Sequence, residues 1–256
     1  MYAQERQQTI TELAREFGRV SVADLATRFD VTSETIRRDL DSLAGRGLIS
    51  RVHGGAVPAE RIRFVETGVG TREAEKASEK QRIAEAAVSL LPQRTDVTII
   101  MDAGTTVARM ADLLPAGRVA TVVTNCLHTA ATLSSRNRVE VQIVGGRIRG
   151  ITQAAVGAAT VDAFRTLRAD LAFLGTNGIT LSHGFSTPDP AEGEVKRAMV
   201  SAARRVVVLA DSSKFGAEYL VSFADLDQVD FLVTDRSLPA IARQALTDRG
   251  IEVICT

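Results

Sequence analysis

Five short polar segments in this chain each follow an apolar run, and their residue types suit the binding of anions and polyols. Asp102-Ala103-Gly104-Thr105-Thr106 follows Val97–Met101. Gly104 permits close backbone approach there, and two hydroxyls stand at the start of a helical stretch whose first N–H groups favour negative charge. Thr124-Asn125 follows the second run and Gly145-Gly146-Arg147 the third, where Arg147 can pair with a phosphate or carboxylate. Gly175-Thr176-Asn177-Gly178 and Asp211-Ser212-Ser213-Lys214-Phe215-Gly216 close two more runs, and Asp235 follows another. Glu192 and Lys196 stand four residues apart in a helical stretch, a spacing that usually gives only surface support. Each segment also has a plainer reading. Thr105 can simply cap its helix, and arginines such as Arg147 are common on surfaces.

The elements that must carry these segments follow from the pattern around them. Val97–Met101, Val119–Val123, Val139–Val144, Leu171–Leu174, Val206–Leu209, Phe231–Val233 and Ile251–Ile254 are uninterrupted apolar runs, as expected of parallel strands buried on both faces. Stretches with helical periodicity, such as 105–114 and 192–203, alternate with them, so the spacing predicts an α/β domain with a mostly parallel sheet. In such sheets ligands sit at the carboxyl ends of the strands, where the polar segments fall. Lysine is scarce: only Lys76, Lys80, Lys196 and Lys214 occur, which makes a lysine at a special position informative.

Residues 1–57 read differently. Ile10, Leu13, Ala14 and Phe17 recur at helical spacing up to Gly18, and Ser21 can cap a second helix with Val22, Leu25, Ala26 and Phe29 inside. Asp30-Val31 makes a turn. Thr32 or Ser33 then caps a third helix with Ile36, Leu40 and Leu43 inside, stopped by Gly45 and Gly47. Leu48–Val52 and Ala56-Val57 flank His53-Gly54-Gly55 as a two-stranded wing. Two short helices joined by a tight turn form the unit that places a helix in the major groove. With Ile36 at the centre of the buried face, Arg38 points away from the core, Thr35 and Arg37 flank it, and Ser33 lies in the first turn. Arg37 and Arg38 can reach phosphates or guanine edges, and Arg51 and His53 can reach the neighbouring backbone. The plainer alternative is that the arginines are solvated or paired with Glu34, Asp39 or Asp41. Residues 58–77 read as a linker and 78–256 as the α/β domain, with a helix from near Ser78 through Leu90.

The bulk numbers bound these readings. A chain of 256 residues with 45% hydrophobic residues suits two globular domains. No apolar run approaches the ~20 residues of a membrane span, and the polar N-terminus lacks the apolar stretch of a signal peptide. Cys126 and Cys255 offer no disulfide framework, and His53, His128 and His183 form no ligand motif. A cytoplasmic protein without metal or cofactor is expected. Thirty-one basic and thirty-one acidic residues balance to zero net charge, so no overall cationic field argues for nucleic acid.

The run Ser33-Glu34-Thr35-Ile36-Arg37-Arg38-Asp39-Leu40, with Leu43, Gly47-Leu48-Ile49 and His53-Gly54-Gly55-Ala56, closely resembles the recognition helix and wing of the DeoR family of bacterial transcriptional regulators. Arg6, Ile10 and Val20-Ser21 fit the same pattern. The later Asp-x-Gly-Thr-Thr, Thr-Asn, Gly-Gly, Leu-Gly-x-x-Gly, Glu-x-x-x-Lys and Asp-x-Ser-Lys-Phe-Gly segments, over roughly residues 76–255, resemble the sensor domain of that family in order. That domain is similar in fold to ribose-5-phosphate isomerases and CoA transferases. The resemblance implies a winged helix-turn-helix on operator DNA and a pocket for a phosphorylated sugar or related metabolite. It implies effector-binding roles for Asp102, Gly104, Thr105, Thr106, Asn125, Gly145, Arg147, Asp211 and Lys214, and for Glu192 and Lys196. Pro188 and Pro190 depart from the pattern by stiffening the loop before Glu192.

The rival reading is a sugar-phosphate isomerase or transferase with an added DNA-binding domain. Such an enzyme would want paired carboxylates, and the fourth run ends in Leu-Gly-Thr-Asn-Gly with none. A third reading gives the second domain oligomerisation alone. The expectation is a repressor that is no enzyme, a homodimer or homotetramer presenting several winged helices. Residues 1–60 hold eight arginines and nine carboxylates. DNA affinity must then come from a few placed arginines, multiplied by oligomerisation, with a modest salt slope per protomer.

Overall fold

The computed structural model describes residues 2–17, 20–52, 54–58, 68–135 and 139–256. They form two compact units, one built on residues 1–62 and one on residues 63–215 and 219–256.

The first unit runs α1 (Ala3–Phe17), β1 (Val20–Ser21), α2 (Val22–Phe29), α3 (Ser33–Gly45), β2 (Ile49–Val52) and β3 (Gly55–Pro58). Its core is the expected one: Ile10, Leu13, Ala14, Val22, Leu25, Ile36, Leu40 and Leu43 are buried together. Ser21 caps α2 by accepting the Asp24 N–H, and Thr32 caps α3 by accepting the Thr35 N–H. Asp30 supplies the left-handed residue (φ 51°) that ends α2. Gly45 lies inside the last turn of α3 rather than beyond it, and the left-handed residue that follows is Gly47 (φ 70°). Gly18 and His53 lie outside the described residues.

The wing has three strands, in the order β1-β3-β2, where the sequence suggested two. Val20 and Ser21 pair with Ala56 and Gly55. A Cβ on Gly55 would stand 2.0 Å from the Val20 carbonyl oxygen, so only glycine admits this third strand. Beneath the wing, α1 and α3 are joined by a buried ion pair. Arg6 Nε donates to Asp39 Oδ2 at 2.6 Å, Gln7 Nε2 donates to Asp39 Oδ1 at 2.8 Å, and Arg46 closes the set on Gln7 Oε1.

The second unit opens with α4 (Val69–Ala74), a short helix inside the stretch that composition marked as linker, and α5 (Ala77–Val88). All seven apolar runs form strands of one sheet: β4 (Val97–Met101), β5 (Val119–Thr124), β6 (Glu140–Ile143), β9 (Ala169–Gly175), β12 (Ala203–Leu209), β14 (Phe231–Thr234) and β15 (Glu252–Cys255). Their order is β15-β14-β12-β9-β4-β5-β6, and every neighbouring pair is parallel. Alternate residues feed two cores. Ile99, Met101, Leu171, Phe173, Val207 and Leu209 face one side, and Ile100, Ala172, Leu174, Val206 and Val208 face the other. This explains the absence of polar alternation in the runs. The helices are α6 (Thr105–Leu113), α7 (Leu127–Ser134), α8 (Ala158–Arg165), α9 (Pro190–Ala202) and α10 (Ala240–Thr247).

Two small antiparallel pieces decorate the sheet. One is the hairpin β7 (Arg147–Arg149) with β8 (Ala154–Val156). The other is the three-stranded set β10 (Gly178–Thr180), β11 (Gly184–Thr187) and β13 (Val221–Ala224). The chain lays down β4, β5 and β6 in one direction and returns to add β9 on the far side of β4. The topological switch point therefore lies between β4 and β9, where open α/β sheets form their binding crevice.

Removing one partner of a buried ion pair strands the other charge. Asp39→Ala is therefore expected to destabilise the N-terminal unit by about 3–5 kcal/mol. Two-transition thermal unfolding should show the loss in residues 1–58, with the sensor unit's transition unmoved.

Candidate functional site

On the first unit, α3 presents Ser33, Arg37 and Arg38 to solvent, with Thr35 half-buried. Thr35 Oγ1 lies 2.9 Å from Thr32 Oγ1 and is partly engaged in the cap. Arg37 and Arg38 both lean on Glu34, at 3.6 and 3.5 Å, with their side chains 55% and 80% exposed. Exposed pairs of this kind are worth little and are readily exchanged for a phosphate. Asp39 belongs to Arg6, and Asp41 pairs with Arg51 of β2 at 3.2 Å. The plainer reading of paired arginines thus holds in part, through Glu34.

On the second unit a cavity opens at the switch point, against the C-terminal ends of β4, β9, β5 and β12. Asp102, Gly104, Thr105, Thr106, Asn125, Glu192, Lys196, Asp211 and Lys214 all line it. Gly145 and Arg147 do not: both are exposed, on the turn into β7 and at its start. The arginine that turns inward is Arg149, two residues on. Its Nε donates to Asp189 Oδ2 at 2.9 Å and its Nη1 to Glu192 Oε1 at 3.2 Å. The two arginines are two residues apart in β7 and so share a strand face; what distinguishes Arg149 is its reach to Asp189 and Glu192, partners too distant in sequence for spacing to show.

The buried carboxylate of Asp102 organises the centre. Oδ1 accepts the Gly104 N–H at 2.7 Å and Oδ2 accepts the Gly175 N–H at 2.8 Å. Lys196 Nζ bonds the same Oδ2, donates to the Gly175 carbonyl at 2.8 Å and stands 5.1 Å from the Phe223 ring centroid. Glu192 turns to Arg149 and Thr152. The i,i+4 spacing of Glu192 and Lys196 therefore serves two different walls of the cavity.

Gly104 caps α6 and carries no side chain to do so, and the first helical bond is Ala108 N–H to the Gly104 carbonyl. Thr105 is the first helical residue and not the cap. Thr105 and Thr106, the first two residues of α6, line the cavity, and the free N–H groups of a helix's first turn favour anions. Asp211 caps the 3₁₀ turn Ser212–Lys214 by accepting the Ser213 N–H, and Asp235 holds the same turn through Ser212 N and Oγ. That turn carries Lys214.

Lys76 and Lys80, on and before α5, also line the cavity, so all four lysines of the chain gather there. The sequence signal was the scarcity of lysine, which pointed to Lys196 and Lys214 through their motifs and gave no separate clue to Lys80. Lys80 is buried, and its Nζ donates to the Arg72 carbonyl. Burial pushes its pKa below that of a free lysine, the Asp211 carboxylate opposes the fall, and the Lys214 charge adds to it. At the opposite wall, Asn125 Nδ2 donates to the Ala155 carbonyl at 2.8 Å, while its buried Oδ1 has no donor among the described residues. An acceptor placed so suits a hydroxyl. Among the described residues no cluster of His, Cys, Asp and Glu could hold a metal ion, and no helix is long and apolar enough to cross a membrane.

A winged helix-turn-helix and a strand-end cavity rich in cations define a DNA-binding regulator with a small-molecule sensor. Residues 6–61 match the DeoR-like helix-turn-helix domain, and residues 75–236 match the DeoR C terminal sensor domain. The chain belongs to the DeoR family of transcriptional regulators. It is 36% identical over 254 residues to the HTH-type transcriptional regulator GlpR of Haloferax volcanii, covering 99% of this chain and 98% of that one. It is 34% identical over 250 residues to the glycerol-3-phosphate regulon repressor of Escherichia coli, covering 97% of each. A ribose 5-phosphate isomerase A from Neisseria gonorrhoeae superposes on 53% of this chain and 52% of its own, at 17% identity and a TM-score of 0.38. So partial a likeness says nothing of activity.

The lowered pKa of Lys80 fixes the sign of a stability effect. Between the folded and unfolded pKa values the unfolded chain binds more protons at this group, so its contribution to stability rises with pH and is lost as pH falls through the lowered folded value. Lys80→Met removes this titrating group, so its melting temperature should depend less on pH than that of the native protein, whose stability should rise relative to the variant's as pH climbs through the lowered lysine pKa. Melting curves of both proteins across the alkaline range check this.

Proposed function

We propose that this regulator represses a carbohydrate-metabolism operon and responds to a phosphorylated sugar or related polyol phosphate. The observation that carries the reading is the gathering of every lysine in a lysine-poor chain around one cavity into which an uncapped helix N-terminus opens. The phosphate sits on the α6 N–H groups with Lys80 and Lys214. The hydroxyls meet Asn125 Oδ1 and Glu192. Relatives named as a glycerol-3-phosphate regulon repressor and as the HTH-type transcriptional repressor GlcR of Bacillus subtilis support a repressor of this type.

The protein acts in the cytoplasm, where operator DNA and phosphorylated metabolites meet. It works as a homodimer or homotetramer, since two or more recognition helices are needed to read repeated half-sites with so few arginines each. Residues 1–57 read DNA through Ser33, Thr35, Arg37 and Arg38, with Arg51 and His53 on the wing. Residues 58–77 join them to the sensing and oligomerising part at 78–256. Gly145 and Arg147 lie outside the cavity, so we give them no part in binding the effector.

Catalysis is disfavoured by how the carboxylates are used. Asp102 accepts two backbone N–H groups and a lysine, and Asp211 holds the Ser213 turn, so both act as braces for loops. A general base needs a lone pair free for the substrate's proton.

Arg38→Ala is expected to weaken operator binding by about 1–3 kcal/mol, or roughly 5–150-fold, while leaving thermal stabilisation by sugar phosphates intact. Lys214→Ala should do the reverse. Gel shifts on the protein's own promoter and thermal shifts with glycerol 3-phosphate, hexose phosphates and inorganic phosphate measure both. Unaltered DNA binding in the first variant, or an undiminished ligand response in the second, would sink the corresponding assignment.

A further inference from the structure

Helix α4 is poorly supported by its own residues. It has six residues, and none of them is buried. A helix so short does not hold itself together in water, and its last carbonyls lack partners within the helix. Three neighbours tether its backbone. Lys80 Nζ of α5 donates to the Arg72 carbonyl, and Arg109 Nη2 of α6 donates to the Glu73 carbonyl at 3.1 Å. The Val69 N–H bonds the Ile151 carbonyl, next to Thr152, at 3.2 Å. Cations on the final carbonyls also complement the helix dipole. Each tether reaches back to a wall of the cavity: Lys80 lines it, α6 opens into it, and Thr152 faces it.

One ammonium thus has two uses. Lys80 completes α4 through the Arg72 carbonyl, and it also stands among the lysines that line the cavity. An ammonium's bond to an anionic phosphate oxygen gains a Coulombic attraction between two charges that its bond to a neutral carbonyl lacks.

We propose that α4 is an occupancy-sensitive strap: an effector phosphate draws the Lys80 ammonium off the Arg72 carbonyl, and the C-terminal turn of α4 comes loose. This rests on the pocket reading above and adds how the pocket signals. In chain order α4 is the next described element after β3, so a change in its order passes along the backbone toward the DNA-binding unit. Elements of low local stability are the ones such switches use.

Hydrogen exchange on the full-length protein tests it, with glycerol 3-phosphate, hexose phosphates and inorganic phosphate as probes. A probe that raises the melting temperature should speed exchange of the Arg72–Glu75 amides by about fivefold or more, the lower end of ordinary allosteric coupling. The second arm is Arg109→Met, which cuts another tether and lies outside the lining of the cavity. By reciprocity it should tighten binding of that probe by about three- to tenfold. It should also move ligand-free operator affinity in the direction that the probe moves it in the native protein. A stabilising probe with unchanged or slower exchange at 72–75 overturns the strap and leaves the pocket reading standing, as does an Arg109→Met protein with both affinities unaltered. If no probe stabilises the protein, the pocket reading fails and the strap falls with it.

Discussion

The sensor unit depends on how one buried carboxylate is satisfied. Asp102 sits at the end of β4 with 2% of its surface exposed, where an unpaired charge would be prohibitively costly. It is met by two N–H groups and an ammonium, from the loop after β4, the end of β9 and α9. These contacts pin two neighbouring strand ends together at the switch point of the sheet. A Cβ on Gly104 would come 3.3 Å from the Gly175 Cα and 2.9 Å from Asp102 Oδ1. The glycines are therefore part of the same constraint. With those ends fixed, α6 must start where it does, its first two residues lining the cavity.

Charge is distributed in two ways in this protein. In the sensor unit four lysines collect around one cavity, and one of them, Lys196, is paired with the buried carboxylate of Asp102. In the DNA-binding unit basic and acidic residues nearly cancel, and the arginines of α3 rest on an exposed glutamate. Exposed pairs break at little cost, so the contacts with Glu34 do not lock the two arginines in place. The zero net charge limits how DNA is held and does not forbid it.

Much of the architecture was legible because it rests on burial. Seven apolar runs became seven strands, since a strand covered on both faces can contain little else. The three N-terminal helices followed from apolar spacing and from Ser21 and Thr32 as caps. The pieces that escaped are short: β1, the β7–β8 hairpin, the β10–β11–β13 set and α4. Their stability comes from partners distant in sequence, such as the Asn125 amide on Ala155 or the cations on α4, and a window of three to six residues carries no trace of them.

The sequence by itself determined the two-part organisation through its local pattern, and its resemblance to the DeoR family pointed to the class of the protein and to nine of the residues that line the cavity. Only the tertiary structure decided what each residue does there. It made Asp102 and Asp211 braces, put Lys196 on Asp102, brought Lys80 in from α5, left Arg147 outside the lining and set Arg149 against Glu192. The physical reason is that a charged side chain's partner is fixed by which strand ends and helices meet in space. That meeting follows from strand order and burial across the whole sheet, not from spacing along the chain.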